Sequence, residues 1–110
     1  MLLLNAPANP DFEAEIAAAL ACHLDGIPGA ASTAVWPEIR EYERAVAATL
    51  NATIQPLMDG YLAGLEGKLV GEGIGAPIYI TASNGGTLSI ATARGRPIET
   101  MLSGPAAGVA

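Results

Sequence analysis

Large apolar side chains recur at Ile39, Tyr42, Val46, Leu50, Ile54, Leu57, Tyr61, Leu65 and Leu69. Every step is three or four residues, the spacing that lines side chains along one face of an α-helix. Glu38, Glu41, Arg44, Gln55, Asp59, Glu66 and Lys68 fall mostly off that stripe. The pattern predicts one long amphipathic helix from Pro37 to about Lys68. Pro37 suits a first helical turn, where its missing N–H would have no partner, and Glu38 and Glu41 favour the positive end of the helix dipole. Pro56 removes the bond to the Ala52 carbonyl, which predicts a kink or a split there. At about 1.5 Å rise per residue the element would run roughly 50 Å, longer than a compact domain of this chain length is wide.

The remaining elements are shorter. Leu2, Leu3 and Leu4 form an apolar run ended by Asn5, Pro7, Asn9 and Pro10, which reads as a buried strand followed by a loop. A first helix is expected from Asp11 to Leu24, with Ile16, Leu20 and Leu24 on one face and acidic residues in its first turn. Asp25-Gly26 and Pro28-Gly29 stop it. Ser32 to Trp36 is partly β-branched and reads as a strand. Gly71, Gly73 and Gly75 end the long helix. Pro77 to Ser83 is the clearest strand in the sequence, and Asn84-Gly85-Gly86 is a turn directly after it. Thr87 to Ala93 fits a short helix or a strand, and Pro97 to Leu102 is short and apolar. The β-α-β-α-β alternation implies an α/β fold with a largely parallel sheet, in a single segment covering 1–110.

Composition narrows the function classes. The chain has 110 residues, 51% of them hydrophobic, and a formal net charge of −6. Much of the apolar content is alanine, which buries little area. Arg40, Arg44, Lys68, Arg94 and Arg96 are scattered, so no basic patch exists to neutralise phosphates and nucleic acid is excluded as a partner. The lone Cys22 rules out an internal disulfide and fits a reducing compartment. Met1 to Leu4 is too short for a secretory core, and no window reaches the length of a membrane span. A cytoplasmic protein is the expectation.

Candidate chemistry is sparse. Gly71, Gly73 and Ala76 match a dinucleotide fingerprint by letter, but a helix precedes and a strand follows, the reverse of what pyrophosphate binding needs. Asn51-Ala52-Thr53 matches a glycosylation sequon inside the long helix. Cys22 and His23 are adjacent and without further Cys or His, too few for zinc; neighbours on a helix also point about 100° apart. Arg40 with Glu43 and Glu41 with Arg44 can pair on a solvated helical face; the sharper alternative is an arginine held toward a cleft. Asn84, Gly85 and Gly86 follow a strand end, where open α/β sheets bind ligands, and glycines allow backbone N–H groups to approach one. The alternative is a tight turn requiring positive φ. Ser103 or Gly104 can cap a helix starting at Pro105, with Ala106, Ala107 and Gly108 permitting close packing, as a hinge or as plain packing. There is no Walker A ending, no Ser-His-Asp set and no D-x-G-G-T phosphate loop.

Pro37-Glu38-Ile39-Arg40-Glu41-Tyr42-Glu43-Arg44, Asn51-Ala52, Pro56, Tyr61, Leu65-Glu66, Ser83-Asn84-Gly85-Gly86, Pro97 and Leu102-Ser103-Gly104-Pro105-Ala106-Ala107-Gly108-Val109 together resemble the hydantoinase A / 5-oxoprolinase family, which includes subunits of acetone-type carboxylases. Two stretches depart from it. Ala45-Val46-Ala47-Ala48-Thr49 replaces a Thr-rich segment, and Phe12 stands where the family's N-P-x-H-E often has His. The resemblance implies part of a ribonuclease-H-like domain of the actin, sugar-kinase and Hsp70-like ATPases, with the one long kinked helix. It implies ATP and Mg2+ in the parent protein, neither bound by this chain alone. It also implies a small cyclic-amide substrate, the rest of a hydantoinase A chain as partner, and often a hydantoinase B-type subunit. The chain would be the latter part of the first domain, ending just before the second phosphate loop. Asn84, Gly85 and Gly86 are then ligand-cleft candidates. Ser103, Gly104, Pro105, Ala106 and Gly108 are hinge candidates; no catalytic or metal residue is assigned. Open alternatives are a ketone carboxylase subunit, a non-catalytic truncated product, and a helix-mediated interaction module.

Overall fold

In the computed structural model, which describes residues 1–109, the chain packs as two units, Met1–Thr53 and Ile54–Ala110. The boundary falls inside the longest helix. The elements in order are α1 (Asp11–His23), α2 (Ser32–Val35), α3 (Glu41–Gly71), β1 (Tyr79–Thr81), β2 (Thr87–Ser89), α4 (Ile90–Gly95), a 3-10 turn (Pro97–Thr100) and α5 (Ser103–Ala107). Among the described residues no helix is long and apolar enough to cross a membrane.

In the first unit α1 forms as expected and stops at Leu24. Gly26 takes positive φ (74°), and Ile27 N–H bonds the Leu24 carbonyl. Two expected strands are not strands. The Met1 amino group donates to the Ala30 carbonyl, and the Met1 carbonyl accepts from Ser32 N–H. Leu3 gives its N–H to the Glu13 carboxylate and its carbonyl to Arg44. Side chains, not a neighbouring strand, thus take the backbone of Leu3. Ser32 to Val35 is helical because the Glu13 carboxylate meets its first turn, accepting the Thr33 N–H and the Ser32 and Thr33 hydroxyls. An anion there satisfies donors that a helix N-terminus leaves over.

The long helix exists but is displaced along the sequence, from Glu41 to Gly71, 31 residues. Pro37 does not open it; residues 37–40 lie outside, held by a bond from Arg44 to the Glu38 carbonyl at 3.2 Å. Pro56 lies inside an unbroken helix rather than splitting it. The helix ends in a Schellman closure: Ile74 N–H reaches the Leu69 carbonyl, Gly73 N–H reaches Val70, and Gly73 has φ +77°.

The buried face of α3 is not the apolar stripe. Arg44, Ala48, Asn51 and Leu62 are the buried residues along it. At about 100° per residue they lie on nearly the opposite side from Tyr42, Val46, Leu50, Leu57 and Tyr61, all of which are exposed, Tyr42 at 79% and Leu57 at 75%. The first unit's interior is correspondingly polar, with Glu13, Ser32, Arg44 and Asn51 beside Ala6, Val35 and Ala48. In the second unit Leu62, Ala82, Ala93 and Pro97 are buried.

The expected parallel sheet is replaced by a two-stranded antiparallel hairpin, in register Tyr79↔Ser89, Ile80↔Leu88 and Thr81↔Thr87. A parallel crossover needs a dozen or more residues, and the short link through Asn84-Gly85-Gly86 permits only a hairpin. Thr87 to Ala93, open between helix and strand, contains both: β2, then α4, whose N–H at Thr92 is capped by the Ser89 hydroxyl. The secondary structure remains a mixture of helix and strand, as an α/β segment requires.

Candidate functional site

The Asn84–Gly86 turn is built from its own groups. Gly85 N–H donates to the Ala82 carbonyl at 3.0 Å, Ala82 N–H to the Gly86 carbonyl at 2.8 Å, and Gly86 N–H to Asn84 Oδ1 at 2.9 Å. Gly85 has φ +81°, a left-handed conformation that glycine adopts without strain. Both glycine N–H groups are therefore spent inside the turn, and neither is available to cradle a ligand. Asn84 is exposed, and its side-chain NH2 takes no part in the bonds that close the turn. A Cβ on Gly86 would meet Asn84 Oδ1 at 3.0 Å, so glycine there protects the asparagine's orientation.

Ser83 joins this turn to the chain entering α5. Its N–H and its hydroxyl both donate to the Glu99 carbonyl, at 2.6 and 2.7 Å, and its Oγ accepts from Leu102 N–H at 3.3 Å. The expected hinge stretch is helical, beginning at Ser103 rather than at Pro105, and Ser103 supplies no capping bond. Nothing lies within 4 Å of a Cβ built on Gly104, and Gly108 has only ordinary van der Waals neighbours. Close backbone packing is not what the small residues provide here.

Two arginines of this unit, both after the turn in sequence, are ion-paired. Arg94 on α4 bonds Asp59 on α3 at 2.5 Å. The hydrogen bond from Arg94, reinforced by its charge, holds the Asp59 carboxyl below its usual range and raises the Arg94 guanidinium. Arg96 pairs with Glu99 at 3.0 Å. The Asp59–Arg94 pair spans 35 positions, and no local sequence signal announces it.

In the first unit, Arg40 and Glu43 pair as their spacing suggests, at 3.0 Å. Arg44 does neither of the things considered for it: it is fully buried, donating to the carbonyls of Leu3 and Glu38, with its Nε unpaired. Burial raises the pKa of Glu13, but the Ser32, Thr33 and Leu3 hydrogen bonds outweigh it and lower the carboxyl to about 2. Cys22 is an exposed free thiol and His23 Nδ1 contacts the Ala19 carbonyl at 2.8 Å, so they form no pair. Asn51 of the sequon is fully buried. Gly71 and Gly73 belong to the helix end and connection, with no strand before them.

The chain matches the family model described as hydantoinase/oxoprolinase over residues 44–110. It is 39% identical over 72 residues to an uncharacterized protein of Methanocaldococcus jannaschii, covering 66% of this chain and 11% of that protein. It is 30% identical over 98 residues to caprolactamase subunit alpha of Pseudomonas jessenii, covering 89% of this chain and 14% of that subunit. The chain thus spans less than one sixth of the length of these relatives. No solved structure matches it.

Proposed function

Because the chain belongs to the hydantoinase/oxoprolinase family, we propose that it forms part of the ligand-cleft wall and interdomain hinge of an ATP-dependent cyclic-amide hydrolase with the actin, sugar-kinase and Hsp70-like scaffold. The observation that carries this is the similarity, along 89% of the chain, to a caprolactamase subunit. That protein's name points to caprolactam, a cyclic amide, and to an assembly of subunits, in keeping with a hydantoinase B-type partner.

Among the described residues no acidic cluster fits a magnesium site. No three of His, Cys, Asp or Glu converge among the described residues. Glu13, Glu43, Asp59 and Glu99 are engaged with hydroxyls or arginines. The reading therefore assigns nucleotide and metal to other parts of a longer polypeptide. It assigns this chain the neutral contacts: the Asn84 NH2 donates to an uncharged amide oxygen, and α5, from Ser103 to Ala107, serves as the hinge.

The test uses the protein expressed from its native gene, with ATP turnover dependent on caprolactam as readout. Gly86→Val should push Asn84 Oδ1 off the Gly86 N–H and raise the lactam KM about tenfold, the worth of one neutral hydrogen bond. Asn84→Ala should do the same. Unchanged turnover and KM in both variants would remove the turn from the cleft.

A further inference from the structure

We infer that Ser83 is a positioning residue whose hydroxyl couples the Asn84–Gly86 turn to helix α5, so that the ligand turn and the hinge move together. Its catalytic consequence rests on the function proposed above; the coupling itself does not.

Three observations converge on this one side chain. α5 has no side-chain cap of its own, and Leu102, the residue before it, gives its N–H to Ser83 Oγ from 19 positions away. The same oxygen donates to the Glu99 carbonyl, so it bridges a donor and an acceptor on the stretch that leads into α5. That stretch is held at its other end. Pro97 is fully buried, the Thr100 hydroxyl bonds the Pro97 carbonyl at 2.7 Å, and Arg96 pairs with Glu99. Ser83 in turn sits between buried Ala82 and the turn residue Asn84. Any shift of residues 99–102 is therefore passed through Ser83 to the position of the Asn84 amide. Removing the hydroxyl leaves the separate bond from Ser83 N–H to Glu99 in place, so Ser83→Ala isolates the side chain's contribution.

Amide hydrogen exchange on the protein expressed from its native gene tests the coupling. In Ser83→Ala the amides of Leu102 and Ala106 should lose roughly five- to tenfold of their protection, while that of Arg96 on the Thr92 carbonyl keeps its own. Ser83→Thr, which keeps a hydroxyl, should restore them. Unchanged protection at Leu102 in Ser83→Ala, or no recovery in Ser83→Thr, overturns the inference. If Ser83→Ala does not fold, Ser83→Cys, with its weaker S–H donor, should show an intermediate loss; full protection there overturns it equally.

A kinetic arm uses the protein from its native gene. Ser83→Ala should lower kcat several-fold with little change in lactam KM, the opposite split from Asn84→Ala. A KM rise with kcat intact would make Ser83 a ligand contact and overturn the positioning role. If exchange shows the coupling while Asn84→Ala leaves KM unchanged, the coupling stands and the cleft assignment of the turn is what fails.

Discussion

A carboxyl group buried as completely as that of Glu13 would ordinarily keep its proton. Four donors reverse that: Leu3 N–H at 2.9 Å, Thr33 N–H at 2.8 Å, and the Ser32 and Thr33 hydroxyls at 2.6 Å each. With a folded-state pKa of about 2 against an ordinary 4.5, the ionised form stabilises the fold. The contribution is fully present above pH 4.5 and is lost as pH falls toward 2. It amounts to up to about 3 kcal/mol. Urea titrations from pH 7 to 2 should show the midpoint falling below pH 4.5, and Glu13→Gln should be destabilised at neutral pH and lose that part of the pH dependence. Glu13 is visible in the sequence as the last residue of the N-P-x-x-E stretch. Its acceptor role is not, because its three partners lie at positions 3, 32 and 33. Arg44 is the same kind of case: its two carbonyl acceptors come from chain segments that only folding brings beside it.

At the scale of elements, α3 shows how helical spacing and burial can part company. The three-to-four spacing identified the helix correctly, since it reflects a period set by the backbone. Which face is buried depends on what packs there, and the packed face carries Arg44, Ala48, Asn51 and Leu62. Pro56 is accommodated within the helix, but it still withholds an N–H from the Ala52 carbonyl. Pro56→Ala restores that bond and removes a poor helix former, and should raise stability by about 1–3 kcal/mol, read as a higher thermal midpoint. A lower midpoint would mean that the packing along α3 depends on the proline's local geometry. The hairpin is a second instance. Its strand and its turn are legible as Ile-Tyr-Ile-Thr and Asn-Gly-Gly, whereas its antiparallel partner was masked by the ambiguity of Thr87 to Ala93, which is half strand and half helix.

For the whole molecule, the surface is the informative part. Tyr42, Val46, Leu50, Leu57 and Tyr61 on α3, and Phe12, Ile16, Leu20 and Leu24 on or beside α1, are all exposed. Scattered apolar residues on a surface are ordinary, but aligned runs on helix faces mark surfaces that associate. The isolated chain should self-associate at micromolar concentration in sedimentation velocity. Leu57→Asp with Tyr61→Asp should weaken that association while lowering the urea-derived stability by no more than about 1 kcal/mol, because neither side chain contributes to the buried interior. A monomer at tens of micromolar would contradict this. The same exposed faces fit a chain that spans 11% and 14% of the lengths of its relatives, the remainder of a longer polypeptide being one natural cover for them in the proposed function.

What the sequence alone determined is local or familial. Helix period, Gly and Pro punctuation, the Asn-Gly-Gly turn and the Arg40–Glu43 pair are carried by residues near one another in the chain, and family membership by the order and spacing of motifs along it. Each follows from backbone geometry or from motif spacing. Only the tertiary structure decided that Ser32 to Val35 is helical, that Arg44 is buried, and that Ser83 rather than Ser103 meets the chain entering α5. Those outcomes depend on partners 10 to 41 residues apart. A hydrogen bond of that kind is worth only about 1 kcal/mol net and leaves no periodic trace in the sequence, yet it fixes which of several locally acceptable conformations the chain adopts.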